Sequence, residues 1–248
     1  MSEFKFPTEE VELPSKGLLY PKDSPLSSGK VEIKYMTSKE EDILTNQSFI
    51  SKGIVLDKLL KSLIVNKDIN IDDLFVGDKN ALFVASRILG YGKEYKVTIA
   101  GKEEVIDLTE LQPKEVDLSA FEGGKNELSY KLESTGTILT FKLLTGHDEK
   151  KIDRELAGLK KISPNSSAEL TTRLKHMITS VDGKTDTKEI REFIDNYFLA
   201  RDARAFREHI RNVSPDLDLT VVLDSGEEAT LPIGLNFFWP DAWVGTRV

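Results

Sequence analysis

The sequence contains three histidines, His147, His176 and His209, and each stands alone along the chain. Histidine is a common general base and metal ligand near neutral pH, but both roles need partner residues at defined spacing, as in HExxH on a helix. No such cluster surrounds any of the three. The sequence therefore predicts surface or core histidines, with neither a catalytic nor a metal-ligating role.

Other chemical motifs are also missing. Cysteine is absent, which excludes disulfides, thiolate metal sites and a cysteine nucleophile. No GxGxxG phosphate-binding pattern and no GxSxG nucleophile elbow occurs. Gly183-Lys184-Thr185 resembles the end of a phosphate loop but lacks the upstream glycine, so we interpret it as a turn.

Two pairs of adjacent carboxylates, Asp72-Asp73 and Glu103-Glu104, lie in or beside predicted turns and helix starts. Acidic residues at such positions commonly cap helices and bind water. We predict no catalytic residue, no cofactor, no metal and no small-molecule substrate. A small cytosolic hydrolase or nucleotide-binding module with an unrecognised motif remains the alternative.

Arginines recur through the segment 188–211, at positions 191, 201, 204, 207 and 211. Arg204, Arg207 and Arg211 share one helix face because residues three or four apart are neighbours. Asp195, Asp202 and Glu208 are interleaved with them. The face is either a solvated surface with intrahelical ion pairs or a docking stripe for an acidic partner, since arginine is enriched at interface hot spots.

The two ends of the chain carry apolar anchors. Near the N-terminus, Leu18, Leu19 and Tyr20 follow a segment interrupted by prolines. They belong either to a strap packed on its own domain or to an arm that docks on a partner, for which we take Leu18 and Tyr20 as candidates. Near the C-terminus stand Phe237, Phe238, Trp239 and Trp243.

Aromatic residues of this kind either close a core or dominate an interface. We expect Phe237 and Phe238 to close the core. We expect the end beyond Pro240 to face a partner, with Trp239 and Trp243 as contact residues.

The composition of the chain limits which classes of partner and which cellular location are expected. The chain has 248 residues, 39% hydrophobic and 31% charged, and a formal net charge of -8. This charge argues against a broad nucleic-acid surface. The N-terminus lacks the apolar segment of a secretory signal, and no run approaches the ~18 apolar residues of a membrane helix. We expect no nucleic-acid or membrane partner and a cytosolic place of synthesis.

Apolar periodicity and turn residues predict an α+β fold built from two helical blocks with interspersed β-hairpins. We divide the chain into an extended arm (1–30), a strand plus helical block (31–93), a β-hairpin region (94–144), and a helical block with a closing hairpin and aromatic tail (145–248). The capping-box spacing of Thr37 and Glu40 predicts a helix that starts near residue 38 and runs to about residue 49. A later helix is capped by Asp78 and ended by Gly90 and Gly92. The other predicted helices cover 54–65, 148–159, 168–181, 187–200 and 201–213. The predicted strands are 31–35, 95–99, 105–108, 127–132, 137–143, 219–223 and 229–233.

Six segments in fixed order resemble the T-even-type phage baseplate hub family, whose members are also described as hub assembly proteins. They are LPSKGLLYP (13–21), MTSKEEDILTN (36–46), KGIVLDKLLKSLIV (52–65), GDKNALFVASRILGYG (77–92), KLLTGHDE (142–149) and PIGLNFFWP (232–240). The resemblance implies a protein of the contractile-tail baseplate that acts by contacts with other hub or tail proteins. It implies host cytoplasm during assembly, and it leaves open whether the protein stays in the virion or leaves after assembly.

Some relatives in that family carry a CxxCG knuckle suited to zinc in one or both of the hairpins. Here the corresponding positions read VTIAG (97–101) and VLDSG (222–226), so the glycines remain and the thiols are missing. Without thiolates a structural zinc is not expected. Strand pairing and packing must then hold the hairpins.

Overall fold

A computed structural model describes residues 7–99, 102–121, 124–162, 168–223, 226 and 228–238. The fold is α+β. Its helices are α1 Ser38–Leu44, α2 Gln47–Ser51, α3 Val55–Leu63, α4 Val76–Tyr91, α5 Gly146–Ile162, α6 Glu169–Met177, α7 Thr187–Asn196 and α8 Ala200–Val213. Its strands are β1 Thr8–Glu12, β2 Lys30–Lys34, β3 Glu94–Ile99, β4 Lys102–Asp107, β5 Leu128–Lys131, β6 Ile138–Phe141, β7 Ile178–Val181, β8 Thr220–Val222 and β9 Glu228–Thr230.

From residue 8 onward, the expected extended arm is a folded strap. Strand β1 pairs antiparallel with β2, and residues 13–29 form turns between them. Gly17, at φ 77°, permits the tight approach, because a Cβ there would lie 2.5 Å from the carbonyl oxygen of Ser27. Leu13, Leu19 and Leu26 are buried. The strap therefore packs on its own chain, the first of the two alternatives that the sequence left open.

The predicted capping box starts α1 as expected. The Thr37 backbone N–H donates to Glu40 Oε2 at 2.9 Å. The helix ends at Leu44, short of the predicted residue 49, because the Asn46 side chain accepts from the Phe49 N–H and begins α2.

Glu40 is fully buried and also accepts from Lys34 Nζ at 2.8 Å and Ser62 Oγ at 2.6 Å. Burial works against its ionisation, but the hydrogen bonds from Lys34, Ser62 and Thr37 outweigh burial and hold the pKa of Glu40 at about 2. This one carboxylate thereby joins β2, α1 and α3.

Helix α4 begins two residues before Asp78, the residue predicted to cap it. Asp78 lies inside the first turn and is fully buried, where it binds the strap instead of the helix end. A Cβ on Gly77 would lie 1.9 Å from the Pro215 carbonyl oxygen, so this turn touches the chain just beyond α8. Gly92, at φ 85°, follows the last helical residue, as predicted, whereas Gly90, also predicted to end the helix, lies inside it.

The central β region contains one strand that the sequence did not predict. Hairpin β3–β4 and strands β5 and β6 form as predicted, within a few residues. The predicted helix 168–181 instead ends at Met177, and Ile178–Val181 forms β7 on the free edge of β6. Ile178, Thr179 and Val181 are β-branched, and the open edge of β6 supplies hydrogen bonds that outweigh continued helix.

The C-terminal block follows the predicted order. Helices α5, α7 and α8 lie within four residues of their predicted bounds, and β8–β9 forms the closing hairpin. Buried residues from all four predicted segments belong to one hydrophobic cluster, for example Leu13, Leu60, Phe141 and Phe206. The segments therefore share a core.

Candidate interaction surface

Helix α8 is held on the β5–β6–β7 sheet by its inner face. The Phe206 side chain is completely buried, and its ring centroid lies 5.0 Å from that of Phe141 and 5.5 Å from that of Tyr130. Such aromatic contacts add about 0.5–1.5 kcal/mol each beyond the burial of area. Because this face points inward, the opposite face of α8 meets solvent.

The first turn of α8 is fixed by a buried carboxylate. Asp202 is 3% exposed, and its Oδ1 accepts from the Ser134 backbone N–H at 3.3 Å and from the Ser134 hydroxyl at 2.7 Å. Its Oδ2 has no hydrogen-bond partner within the described ranges. Asp202 is thus turned away from the arginines beside which it stands in sequence.

The outer face of α8 carries four exposed arginines, which we call the arginine face: Arg201, Arg204, Arg207 and Arg211. At 100° per residue they lie on the side opposite Phe206. Arg207 Nε donates to the Ala203 carbonyl at 3.2 Å. Among the residues that the structure describes, no carboxylate lies within 4.0 Å of these guanidinium groups. The intrahelical ion pairs of the first alternative do not form here.

Two arginines on other helices, in contrast, form bidentate ion pairs that neutralise their guanidinium groups. Arg173 binds both oxygens of Glu149, at 2.7 and 2.9 Å, and Arg191 binds both oxygens of Glu155 at the same distances. The hydrogen bond to Glu155 raises the pKa of Arg191. The arginine face therefore differs in kind from these pairs, because its charges are available to another molecule.

The two strap candidates lie in different surroundings. Leu18 is half-buried at the edge of the core. Tyr20 is 4% exposed, and its hydroxyl donates to Asp78 Oδ2 at 2.6 Å and accepts from the Phe75 N–H at 3.2 Å. Burial, followed by the Asp78 charge, raises the pKa of Tyr20 above its ordinary value. Tyr20 is thus inside the chain's own core, not on the surface where a partner would contact it.

The aromatic tail is described only in part. Phe237 and Phe238 are buried and close the core, as expected, with ring centroids 5.0 Å from Tyr95 and 5.9 Å from Phe83 respectively. Trp239 and Trp243, the proposed contact residues, lie outside the described residues, as does Gly101. Gly226 has φ 80°, which suits the turn expected there.

A polar cleft of about 500 Å³ lies between α3, the loop before α4, and α5. Lys150 Nζ lies 2.7 Å from Asp72 Oδ2, and Lys79 Nζ lies 3.0 Å from Asp57 Oδ1. Nearby, His147 Nε2 lies 2.9 Å from Asp73 Oδ1, with both side chains half exposed. No hydroxyl group is hydrogen-bonded to the His147 ring in the described part of the chain, and in the cleft itself Lys150 is paired with Asp72 and lies 3.5 Å from Asp57 Oδ2.

The sequence missed one feature beside the arginine face. Val76, Leu144, Met177 and Ile210 line a cleft of about 250 Å³ that also includes Arg211. These residues come from four distant parts of the chain, so no local pattern could have indicated that they meet. Within the described ranges there is no group of three His, Asp or Glu residues able to hold a metal ion. None of the described helices has both the length and the apolar character needed to cross a bilayer.

Comparison with protein-family models, with curated proteins and with solved structures found no match to this chain.

Proposed function

We propose that the protein acts by protein–protein contact, as a baseplate hub subunit or hub assembly factor of a contractile phage tail. The observation that carries the contact function is the arginine face, four exposed guanidinium groups without a carboxylate partner in the described part of the chain. The assignment to a baseplate rests on the ordered segments that resemble the hub family. The partners would be other hub or tail proteins, met in the host cytoplasm.

Charge and geometry support an acidic partner. Arg201 and Arg211 are ten residues apart, so the face extends about 15 Å along α8 at 1.5 Å per residue. Guanidinium groups bind carboxylates in a bidentate fashion, and complementary charge speeds association and fixes register. Tyr197 and Leu199, just before α8, are 62% and 45% exposed and add apolar contact area. Arginine and tyrosine are the residue types enriched at interface hot spots.

Charge reversal on α8 tests this function. We expect Arg204→Glu with Arg207→Glu to reduce co-purification of hub and tail proteins with the tagged chain from infected cells at least tenfold. The outward position of both side chains should leave the circular dichroism spectrum and the melting temperature nearly unchanged.

The matched control is Arg154→Glu with Lys160→Glu, an equal charge change on the exposed side of α5. It should leave co-purification unchanged. Equal loss in both variants would indicate a general charge effect, and retention of partners by the α8 variant would exclude the arginine face as the contact surface.

Mass spectrometry of purified particles separates the two forms of the proposal. A stoichiometric amount of the chain in finished particles indicates a structural subunit. Its absence, together with co-purification during assembly, indicates an assembly factor.

The alternative of a small hydrolase or nucleotide-binding module has one supporting feature, the His147–Asp73 pair beside the polar cleft. A thermal-shift screen with nucleotides and divalent cations tests it. Stabilisation that disappears in His147→Ala would favour this alternative, since a ligand that binds only the folded state raises the melting temperature.

A further inference from the structure

The cleft beside Arg211 is a small apolar groove with a cationic rim. Its apolar lining comes from Val76 at the start of α4, Leu144 before α5, Met177 at the end of α6, and Ile210 in α8. Val76 is 43% exposed although it is a large aliphatic residue. We call this cleft the apolar groove.

The charges around the groove are not balanced. Among the residues that the structure describes, three cations line it, Lys114, Arg173 and Arg211, together with Glu149 and Asp216. Arg173 uses both oxygens of Glu149. The Asp216 carboxylate accepts from Asn80 at 3.1 and 3.3 Å; burial raises its pKa, and the charge of nearby Lys114 acts in the opposite direction. Among the described residues that line the groove, Arg211 therefore remains to attract an anion.

The walls of the groove are already in place. The Gly77–Pro215 approach leaves no room for a Cβ, so the start of α4 is in direct contact with the chain beyond α8. The Arg173–Glu149 pair joins α6 to α5. A preformed site costs less ordering on binding than a flexible one.

The size of the groove indicates what fits. At about 250 Å³ it is smaller than the roughly 300–1,000 Å³ of ordinary small-molecule pockets. It suits one inserted aliphatic or aromatic side chain. Arg211 belongs to both the groove and the arginine face, so the two surfaces are continuous.

We propose that the apolar groove binds an acidic segment of a partner protein that carries a single apolar anchor residue. The anchor side chain inserts between Val76 and Ile210, and flanking carboxylates meet Arg211. This inference rests on the contact function proposed above and adds the chemistry of the recognised segment.

Peptide titration of the purified full chain tests the proposal by NMR. The probe is a blocked peptide Glu-Glu-Leu-Glu-Glu, observed through the methyl groups of Val76, Leu144, Met177 and Ile210. We expect saturable shifts at these four residues. Replacing the leucine by serine, or every glutamate by lysine, should weaken binding at least tenfold.

Two variants locate the site. Arg211→Glu should weaken binding of the probe at least tenfold, and Val76→Trp, which fills the groove from an exposed position, should abolish it. Arg154→Glu on α5 is the charge control and should bind normally. If Val76→Trp does not fold, Arg211→Glu still decides the matter.

Several results would overturn the proposal. These are the absence of saturable binding, equal binding of the serine or lysine peptides, and shifts centred away from the groove. Groove shifts that depend on protein concentration without peptide would indicate a second copy of the chain as occupant. Tighter binding of a peptide with the sequence of residues 239–248 would indicate the chain's own C-terminal segment.

A negative result in the peptide titration can be distinguished from a negative result in the co-purification experiment. The titration uses no hub or tail partner protein, so its failure leaves the arginine face as a candidate contact surface. Loss of the baseplate assignment, in turn, would not remove saturable binding of the acidic peptide to the groove.

Discussion

Asp78 lies in the first turn of α4, and its carboxylate accepts hydrogen bonds from the Ser15 backbone, the Ser15 hydroxyl and the Tyr20 hydroxyl. Burial raises its pKa, and the bonds from Tyr20 and Ser15 act in the opposite direction. A buried carboxylate is tolerated only when such bonds replace water. At the residue scale, this cluster is what holds the strap on the core.

Tyr20→Phe tests this cluster. The change removes the donor to Asp78 and the acceptor for the Phe75 N–H, and leaves both buried groups short of a partner. Unsatisfied buried groups cost about 1–3 kcal/mol each. We expect the free energy of unfolding, measured with urea, to fall by roughly 2–4 kcal/mol.

Tyr197→Phe is the matched control, because Tyr197 is 62% exposed and its hydroxyl forms no hydrogen bond within the described ranges. It should change stability by less than about 0.5 kcal/mol. A Tyr20→Phe effect no larger than this control would mean that the cluster does not stabilise the strap.

At the element scale, Glu155 joins three helices. From α5 it contacts Arg191 of α7 through both oxygens and His176 of α6 at 2.9 Å. The hydrogen bond from Arg191, opposed by burial and supported by His176, lowers the pKa of Glu155 from 4.5 to about 2. The three helices α5, α6 and α7 are therefore joined by one ionised carboxylate.

This pairing predicts a dependence of stability on pH. A carboxyl group with a lowered folded-state pKa stabilises the fold above its ordinary pKa of 4.5, and that contribution is lost as the pH falls toward about 2. We expect Glu155→Gln to cost roughly 1 kcal/mol at pH 6, after allowance for solvent screening. The difference from wild type should shrink steadily between pH 5 and pH 3.

Urea unfolding at several pH values measures that difference. Glu208→Gln, on the exposed face of α8 and without an ion pair in the described ranges, is the control and should show no such trend. A Glu155→Gln deficit that stayed constant down to pH 3 would contradict the role of the ion pair.

At the scale of the whole molecule, one hydrophobic cluster contains residues from the strap, both helical blocks and the β region. Charge is distributed less evenly, because a chain with net charge -8 presents an arginine face on one helix. An acidic protein with one basic face orients its encounters, since the local potential attracts acidic surfaces to that face.

The shared core predicts cooperative unfolding. We expect a single calorimetric transition whose van't Hoff and calorimetric enthalpies agree. Tyr20→Phe in the strap and Phe206→Ala in α8 should each move the whole transition to lower temperature, and Phe206→Ala should cost about 3–5 kcal/mol. Two separate transitions, or a shift in only part of the signal, would show that the strap and the C-terminal block fold independently.

The sequence alone determined the features that depend on neighbouring residues. The α+β class, the capping box at Thr37, the end of α4 at Gly92 and the shared face of Arg204, Arg207 and Arg211 all follow from spacings of a few residues. For the same reason the bounds of most predicted helices and strands lie within a few residues of those observed.

Tertiary structure alone decided the features that depend on distant residues. Strand β7 forms because the edge of β6, some 40 residues earlier, is open, and Asp78 is buried because Ser15 and Tyr20 reach it. Asp202 turns inward to Ser134 and away from the arginines of the same helix. The apolar groove joins residues 76, 144, 177 and 210. Long-range pairing and burial set these outcomes, and local propensity is too weak to encode them.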